Sequence, residues 1–121
     1  HASTFGGNPL AAACASAVLD ELIEGGVLER SRKVGEHLGA RLCDLARRLG
    51  PERVVEARGV GHLRGIELAR PAAPVIEHCR ERGVLVIGAG ERVVRIAPPL
   101  IVTEAEVDEG VAVLEEAIAR A

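Results

Sequence analysis

The sequence Arg58-Gly-Val-Gly-His-Leu-Arg-Gly-Ile-Glu-Leu68 decides the fold, because it places strand-forming residues on either side of a glycine-rich turn. Val54-Val55 precedes it and Leu63–Leu68 forms its second half, and both segments are rich in residues typical of strands. Gly59, Gly61 and Gly65 can adopt backbone angles that other residues avoid, and together they predict a tight turn. The segment therefore predicts a hairpin-like pair of strands. A nucleotide-binding loop is disfavoured, because the glycine spacing differs from the dinucleotide fingerprint and no helix follows.

Helices and further strands surround this hairpin. Apolar residues spaced by three and four, with glycine or proline at the ends, predict helices over Pro9–Glu24 and about Val27–Leu49. After the hairpin we expect a short helix ending at Arg82, a short buried strand Val84–Ile87 and a strand Val93–Ile96. A last helix should start at Thr103, where Thr103 and Glu106 form a capping box. Its buried stripe should consist of Val107, Val111, Leu114 and Ile118. Two helices followed by this β-β-α-β-β-α order predict an α+β fold, with helices on one face of an antiparallel-rich sheet.

Composition limits the classes of function. A chain of 121 residues is long enough for one domain, and its net charge of −3 with interspersed charges offers no basic surface for nucleic acid. No apolar run of membrane-spanning length and no leader pattern occurs, so we expect a cytoplasmic protein with no membrane partner. Cys14, Cys43 and Cys79 lie singly in helical segments, which predicts buried, reduced thiols. The spacing of His and Cys residues predicts no metal site.

Two hydroxyl residues, Ser3 and Thr4, lie just ahead of the first predicted helix, in the segment Ser3-Thr-Phe-Gly-Gly-Asn-Pro9. Asn8 is a favoured N-cap and Pro9 suits the first helical position. Hydroxyl groups at a helix N-terminus are suited to binding a phosphate, but the same residue types also occur in ordinary capping turns. From the residues alone, both interpretations remain open.

Three segments, in order along the chain, resemble signature segments of the class III pyridoxal-phosphate aminotransferases, particularly the acetylornithine, succinylornithine and ornithine branch. They are Ser3–Ala11, Arg58–Leu68 and Val94–Glu104, which contains Arg-Ile-Ala-Pro-Pro-Leu. The resemblance implies that residues 1–121 are the C-terminal small domain of a fold-type I enzyme. Because the chain opens without Met and inside the first of these motifs, we expect the large domain to precede His1.

The resemblance also implies roles for particular residues. Thr4, and with it Ser3, would hydrogen-bond the phosphate of pyridoxal 5'-phosphate across the interface of a homodimer. Arg95 would hold the α-carboxylate of an amino-acid or keto-acid substrate; without the resemblance, an arginine that pairs with a surface carboxylate is the simpler interpretation. In the family the lysine that binds the cofactor belongs to the large domain. Lys33 lies opposite the apolar face of its helix and should point into water, so no catalytic residue is expected in this chain.

The function implied is transfer of an amino group between an acetylornithine-like amine and 2-oxoglutarate or glutamate. A 4-aminobutyrate or carrier-linked amine substrate is the alternative within the family. From a different class, the β-β-α-β-β-α order is also compatible with a free-standing small-molecule-binding or dimerisation module.

Overall fold

The structure, a computed structural model, describes residues 2–121. Its helices are α1 (Pro9–Ile23), α2 (Val27–Leu49), α3 (Ala73–Glu81) and α4 (Glu104–Arg120). Its strands are β1 (Val54–Val60), β2 (Leu63–Leu68), β3 (Ile87–Gly88) and β4 (Val93–Ile96). The element order agrees with the order predicted from the sequence, and the α+β class is confirmed.

The hairpin organises the sheet. The strand order is β1-β2-β4-β3, and every neighbouring pair is antiparallel. A two-residue turn of Gly61 and His62 joins β1 to β2, and Gly61 has a φ of 53°. At Gly59, where φ is 129°, a Cβ atom would lie 2.2 Å from the Leu63 carbonyl oxygen. Gly59 and Gly61 are therefore required by the turn, as the sequence predicts. The same prediction is wrong for Gly65, which lies inside β2 and does not have a positive φ.

The core lies between one face of the sheet and helices α2, α3 and α4. Leu45 of α2, Ile66 of β2 and Val94 of β4 have no exposed surface. The predicted stripe of α4 is buried, and the Thr103/Glu106 capping box is present. Because Ile66 and Val94 are paired across the sheet and both point into the core, their neighbours Gly65 and Arg95 lie on the opposite, outer face.

Helix α1 does not belong to this core. Asn8 caps it by accepting a 2.9 Å hydrogen bond from the Ala11 N–H, and Pro9 is its first residue. None of its residues is buried, and Leu10 and Ile23 are strongly exposed. Among residues 2–121, no helix has the length and apolar character needed to cross a membrane.

Two predictions from the sequence are wrong. The segment Val84–Ile87 is not a buried strand: β3 is Ile87–Gly88 and both residues are exposed. The Val84 N–H donates to the Cys79 carbonyl oxygen, so the chain is still closing the end of α3 at this point and reaches the sheet only at its edge.

The cysteine prediction holds for Cys79, which is fully buried, but Cys14 and Cys43 are exposed. Cys14 lies on α1, which buries nothing, and Cys43 lies beside Leu42 on the flank of α2 rather than on its apolar face. All three thiols are free, and burial raises the pKa of the Cys79 thiol.

Candidate functional site

The turn before α1 presents two hydroxyl groups to solvent. The Ser3 Oγ accepts a 3.0 Å hydrogen bond from the Gly6 N–H, which leaves its own proton free to donate. The Thr4 hydroxyl forms no hydrogen bond within residues 2–121, and the residue is exposed. Both ends of the Asn8 side-chain amide are engaged, because its nitrogen donates to the Phe5 carbonyl oxygen at 2.7 Å and its oxygen caps α1. The turn is therefore held by Ser3 and Asn8, while Thr4 is not needed to hold it.

Arg95 lies in the middle of β4, on the outer face of the sheet. Its backbone is held from both sides, since it pairs with Gly65 of β2 and with Ile87 of β3. The side chain is exposed, and the part of the chain that the structure describes gives it no hydrogen bond and no ion pair. A guanidinium on a fixed backbone with all its donors free is suited to gripping a carboxylate with two parallel hydrogen bonds.

The other arginines on this face are already paired. The Arg58 Nη1 lies 2.6 Å from the Glu56 Oε2 and 2.8 Å from the Glu67 Oε2, and these hydrogen bonds raise the pKa of Arg58. Arg92 lies 3.6 Å from the other oxygen of Glu67. The two carboxylates therefore neutralise one end of the outer face and leave the cationic charge of Arg95 available.

The segment after β4 is held by a histidine that the sequence did not single out for a role. Pro98 and Pro99 have no N–H to donate, so the corner cannot continue a strand ladder. His62 supplies the missing attachment: its Nδ1 lies 3.2 Å from the Pro99 carbonyl oxygen, and its Nε2 lies 2.9 Å from the Ser31 carbonyl oxygen. From the sequence, His62 is expected to be either structural or solvent-exposed; the structure gives it a structural role, with partners that only the fold brings near it.

The hairpin turn that contains His62 is also held by a side chain, that of Arg64. The guanidinium of Arg64 donates to the carbonyl oxygens of Gly61, Gly59 and Gly35, at 2.8, 2.7 and 2.8 Å. The third of these bonds crosses to α2, so the turn is anchored on the helix layer. Arg64 is paired with Ile96 in the sheet, which extends this anchorage to the end of β4.

Other titratable residues are tied into ion pairs between helices. Asp108 of α4 lies 2.9 Å from the His37 Nε2 and 2.7 Å from the Arg41 Nε of α2. The hydrogen bond from His37 and the charge of Arg41 hold the pKa of Asp108 below its usual range. Lys33 is exposed, as predicted, and its Nζ lies 3.6 Å from the Glu29 carboxylate. These residues join elements or face water, and none of them faces Arg95 across the sheet.

An apolar groove of about 370 Å³ opens on the helix side of the sheet, between α2, α4 and the Pro98-Pro99 corner. Leu42, Val86 and Val102 are among the apolar residues that line it. Among the described residues, Glu106 is the one that brings a carboxylate to this lining, and it is already engaged in the capping box of α4. None of Ser3, Thr4 and Arg95 lines the groove, so it is separate from the predicted site.

The predicted site residues form two separate groups. Ser3 and Thr4 precede α1, whereas Arg95 lies on the outer face of the sheet, and no hydrogen bond joins the groups within residues 2–121. Within those residues, no cluster of three or more His, Cys, Asp or Glu side chains could hold a metal ion. The arrangement offers anion contacts, two hydroxyls in one place and a guanidinium in another.

Comparison with known proteins shows which family this chain resembles. The family model of the class-III aminotransferases matches residues 1–118. Acetylornithine aminotransferase 1 of Bradyrhizobium diazoefficiens is 44% identical over 119 residues, covering 98% of this chain and 29% of the relative. The acetylornithine aminotransferase of Gloeobacter violaceus is 46% identical over 121 residues, covering 99% of this chain and 30% of the relative.

A solved structure shows that the likeness extends to the fold. The lysine aminotransferase of M. tuberculosis superposes with a TM-score of 0.90 at 34% identity, over 99% of this chain and 28% of that protein. The chain thus spans about 30% of the length of the curated relatives it matches. With a family model that covers nearly every residue and a shared fold, the chain belongs to the class III aminotransferase family.

Proposed function

We propose that residues 1–121 act as the C-terminal small domain of a pyridoxal-phosphate-dependent aminotransferase of the acetylornithine type. The enzyme would move an amino group between an acetylornithine-like amine and 2-oxoglutarate or glutamate, as a cytoplasmic homodimer. Acetylornithine aminotransferases among the similar proteins support this choice of substrate. The similarity to a lysine aminotransferase keeps the identity of the amine open to test.

Ser3 and Thr4 fit the phosphate of the cofactor. Each hydroxyl keeps a proton that it can donate, and both are exposed next to the N-terminus of a fifteen-residue helix whose dipole favours an anion. The family resemblance implies that these residues serve the cofactor of the partner subunit in the dimer, and we assign them that role. The cofactor, when bound, supplies the electron sink that makes the amino group transferable.

Arg95 fits the substrate carboxylate, and the observation that carries this proposal is that Arg95 has no partner within residues 2–121. An arginine kept for stability would be paired, as Arg58 is with Glu56 and Glu67. Arg95 instead faces outward from the centre of the sheet with its donors free, on a backbone held by β2 and β3. Its role is to bind and orient the α-carboxylate of the amino donor and of the keto acid.

This chain moves no proton at the reacting carbon. Its only lysine, Lys33, is exposed and pairs with Glu29, so it lacks the desolvated surroundings of a lysine that forms covalent intermediates. The cofactor-binding lysine is assigned to the large domain of the full-length enzyme.

The test is half-reaction kinetics in the full-length enzyme. Arg95→Ala should lower kcat/KM with glutamate and with 2-oxoglutarate by roughly two to four powers of ten, because an anion in the site would lose a two-pronged partner. The cofactor spectrum should be unchanged. Arg95→Lys should recover only part of the activity, since a point charge cannot make both hydrogen bonds.

Arg92→Ala is the matched control, because Arg92 directly precedes β4 but is paired with Glu67. Wild-type kinetics for Arg95→Ala in both half-reactions would show that another part of the enzyme holds the carboxylate. Replacing acetylornithine by 4-aminobutyrate, lysine or a carrier-linked amine as the donor identifies the amine.

A further inference from the structure

A glycine stands directly beside Arg95 on the outer face of the sheet. The register across the strands places Arg58, Gly65, Arg95 and Ile87 in one row. Directly opposed residues in an antiparallel sheet have their Cβ atoms about 4.5–5.5 Å apart. The missing side chain of Gly65 therefore leaves a gap between two arginines.

Nothing in the fold requires glycine at this position. The φ angle of Gly65 is not positive, so residues with a side chain can adopt the same backbone conformation. A Cβ atom added to Gly65 would meet only the Val93 Cγ1 at 3.4 Å and the Val94 carbonyl oxygen at 4.0 Å, which is ordinary contact. Gly59, six residues earlier, differs in both respects, since it combines a φ of 129° with a 2.2 Å clash.

Glycine in the interior of a strand has a cost for folding. It has the most backbone freedom to lose and no side chain to pack, so it weakens a strand relative to most other residues. Where neither a turn nor a clash calls for it, an interior glycine often marks a place where a ligand approaches the backbone closely. Gly65 lies in the third position of a six-residue strand at the centre of the sheet.

The two flanking arginines set what can enter the gap. Arg58 is neutralised by Glu56 and Glu67, whereas Arg95 has no partner within residues 2–121. An anion over Gly65 would therefore be drawn to the Arg95 side of the gap. On the other side of Arg95 stands Ile87, whose side chain fills the corresponding position.

We propose that Gly65 is a specificity-determining residue, whose lack of a side chain lets the carboxylate end of a 2-amino or 2-oxo acid lie against the sheet beside Arg95. This inference rests on the proposed function of Arg95. It adds that the carboxylate needs open space next to the guanidinium as well as the guanidinium itself.

The experiment compares Gly65→Ala and Gly65→Val in the full-length enzyme, with glutamate and 2-oxoglutarate measured separately. The KM for both substrates should rise about tenfold with Ala, and kcat/KM should fall about a hundredfold with Val, since displacement by about 1 Å has effects of this size. The cofactor absorption should be that of the wild type, and kcat should change less than KM. Thermal stability should be unchanged or higher, because both residues suit a strand better than glycine.

Gly110→Ala is the control, because a Cβ atom at Gly110 in α4 would meet nothing within 4 Å. It should leave KM unchanged. Wild-type KM in Gly65→Ala, which the fold accommodates, would overturn the inference whether or not the valine variant folds. If Arg95→Ala still lost activity in that case, the carboxylate role of Arg95 would stand without the gap. If Arg95→Ala also showed wild-type kinetics, both assignments would fall.

Discussion

Removing the Thr4 hydroxyl should weaken cofactor binding without weakening the fold. In the structure this hydroxyl has no partner within residues 2–121 and lies in solvent, so Thr4→Ala leaves no buried group unsatisfied. The free energy of unfolding should change by less than about 0.5 kcal/mol, as for surface substitutions in general. The lost interaction is one charge-assisted hydrogen bond to phosphate, worth about 1–3 kcal/mol. The Kd for pyridoxal phosphate in the full-length enzyme should therefore rise by about 5- to 150-fold.

A Ser3 variant separates two roles of this turn, holding its own fold and binding phosphate. Its Oγ accepts from the Gly6 N–H at 3.0 Å, so Ser3→Ala removes a turn hydrogen bond together with any phosphate contact. We therefore expect Ser3→Ala to loosen the turn, whereas Thr4→Ala should not. Thr4→Ser is the matched control, since it keeps the hydroxyl and should keep the affinity.

The assay is equilibrium titration of the apoenzyme with pyridoxal phosphate, followed by absorbance, with thermal unfolding measured on the same samples. An unchanged Kd in Thr4→Ala would refute the phosphate role and leave a capping turn as the function of the segment. A lower melting temperature in apo Thr4→Ala would instead show that the hydroxyl has an internal partner, contrary to the structure.

The remaining predictions concern the 121-residue chain itself. With Lys33 exposed and paired to Glu29, the chain should form no stable covalent adduct with pyridoxal phosphate, and borohydride reduction followed by mass spectrometry should find no label on Lys33. Thr103→Ala should lower the free energy of unfolding in urea by about 1 kcal/mol, because it removes the N-cap of α4. Hydrogen bonds from Thr103 lower the pKa of Glu106, so this carboxylate stabilises the fold above the ordinary pKa of glutamate and less as the pH falls through its lowered pKa. The difference in stability between wild type and Thr103→Ala should therefore be full at neutral pH and shrink in acid; a difference that grew in acid would contradict the capping box.

The sequence predicts elements whose signals are local and misses those that depend on a partner strand. The capping box at Thr103 and the α2 stripe through Leu38 and Leu45 need only the spacing of neighbouring residues. Strand β1 is longer than predicted, because Glu56-Ala57-Arg58 is too polar to suggest a strand until β2 pairs with it. The apolar run Val84-Leu85-Val86 suggests a strand by composition, yet no partner pairs with it, so only Ile87–Gly88 joins the sheet.

At the candidate site, too, the sequence alone misses what the pairing of strands decides. Arg58 and Arg95 both follow apolar residues on a strand, and the sequence alone does not show which of them pairs with a surface carboxylate. The register separates them, because Glu56 and Glu67 face each other across β1 and β2 and both reach Arg58. No such carboxylate stands beside Arg95, whose neighbours are a glycine and an isoleucine. The family resemblance could point to Arg95, but only the pairing of strands explains why its charge is left free and why the position next to it is empty. The role of Arg95 as a substrate ligand stays a prediction that Arg95→Ala tests, whereas Gly65→Ala tests whether the carboxylate also needs the empty position beside the guanidinium.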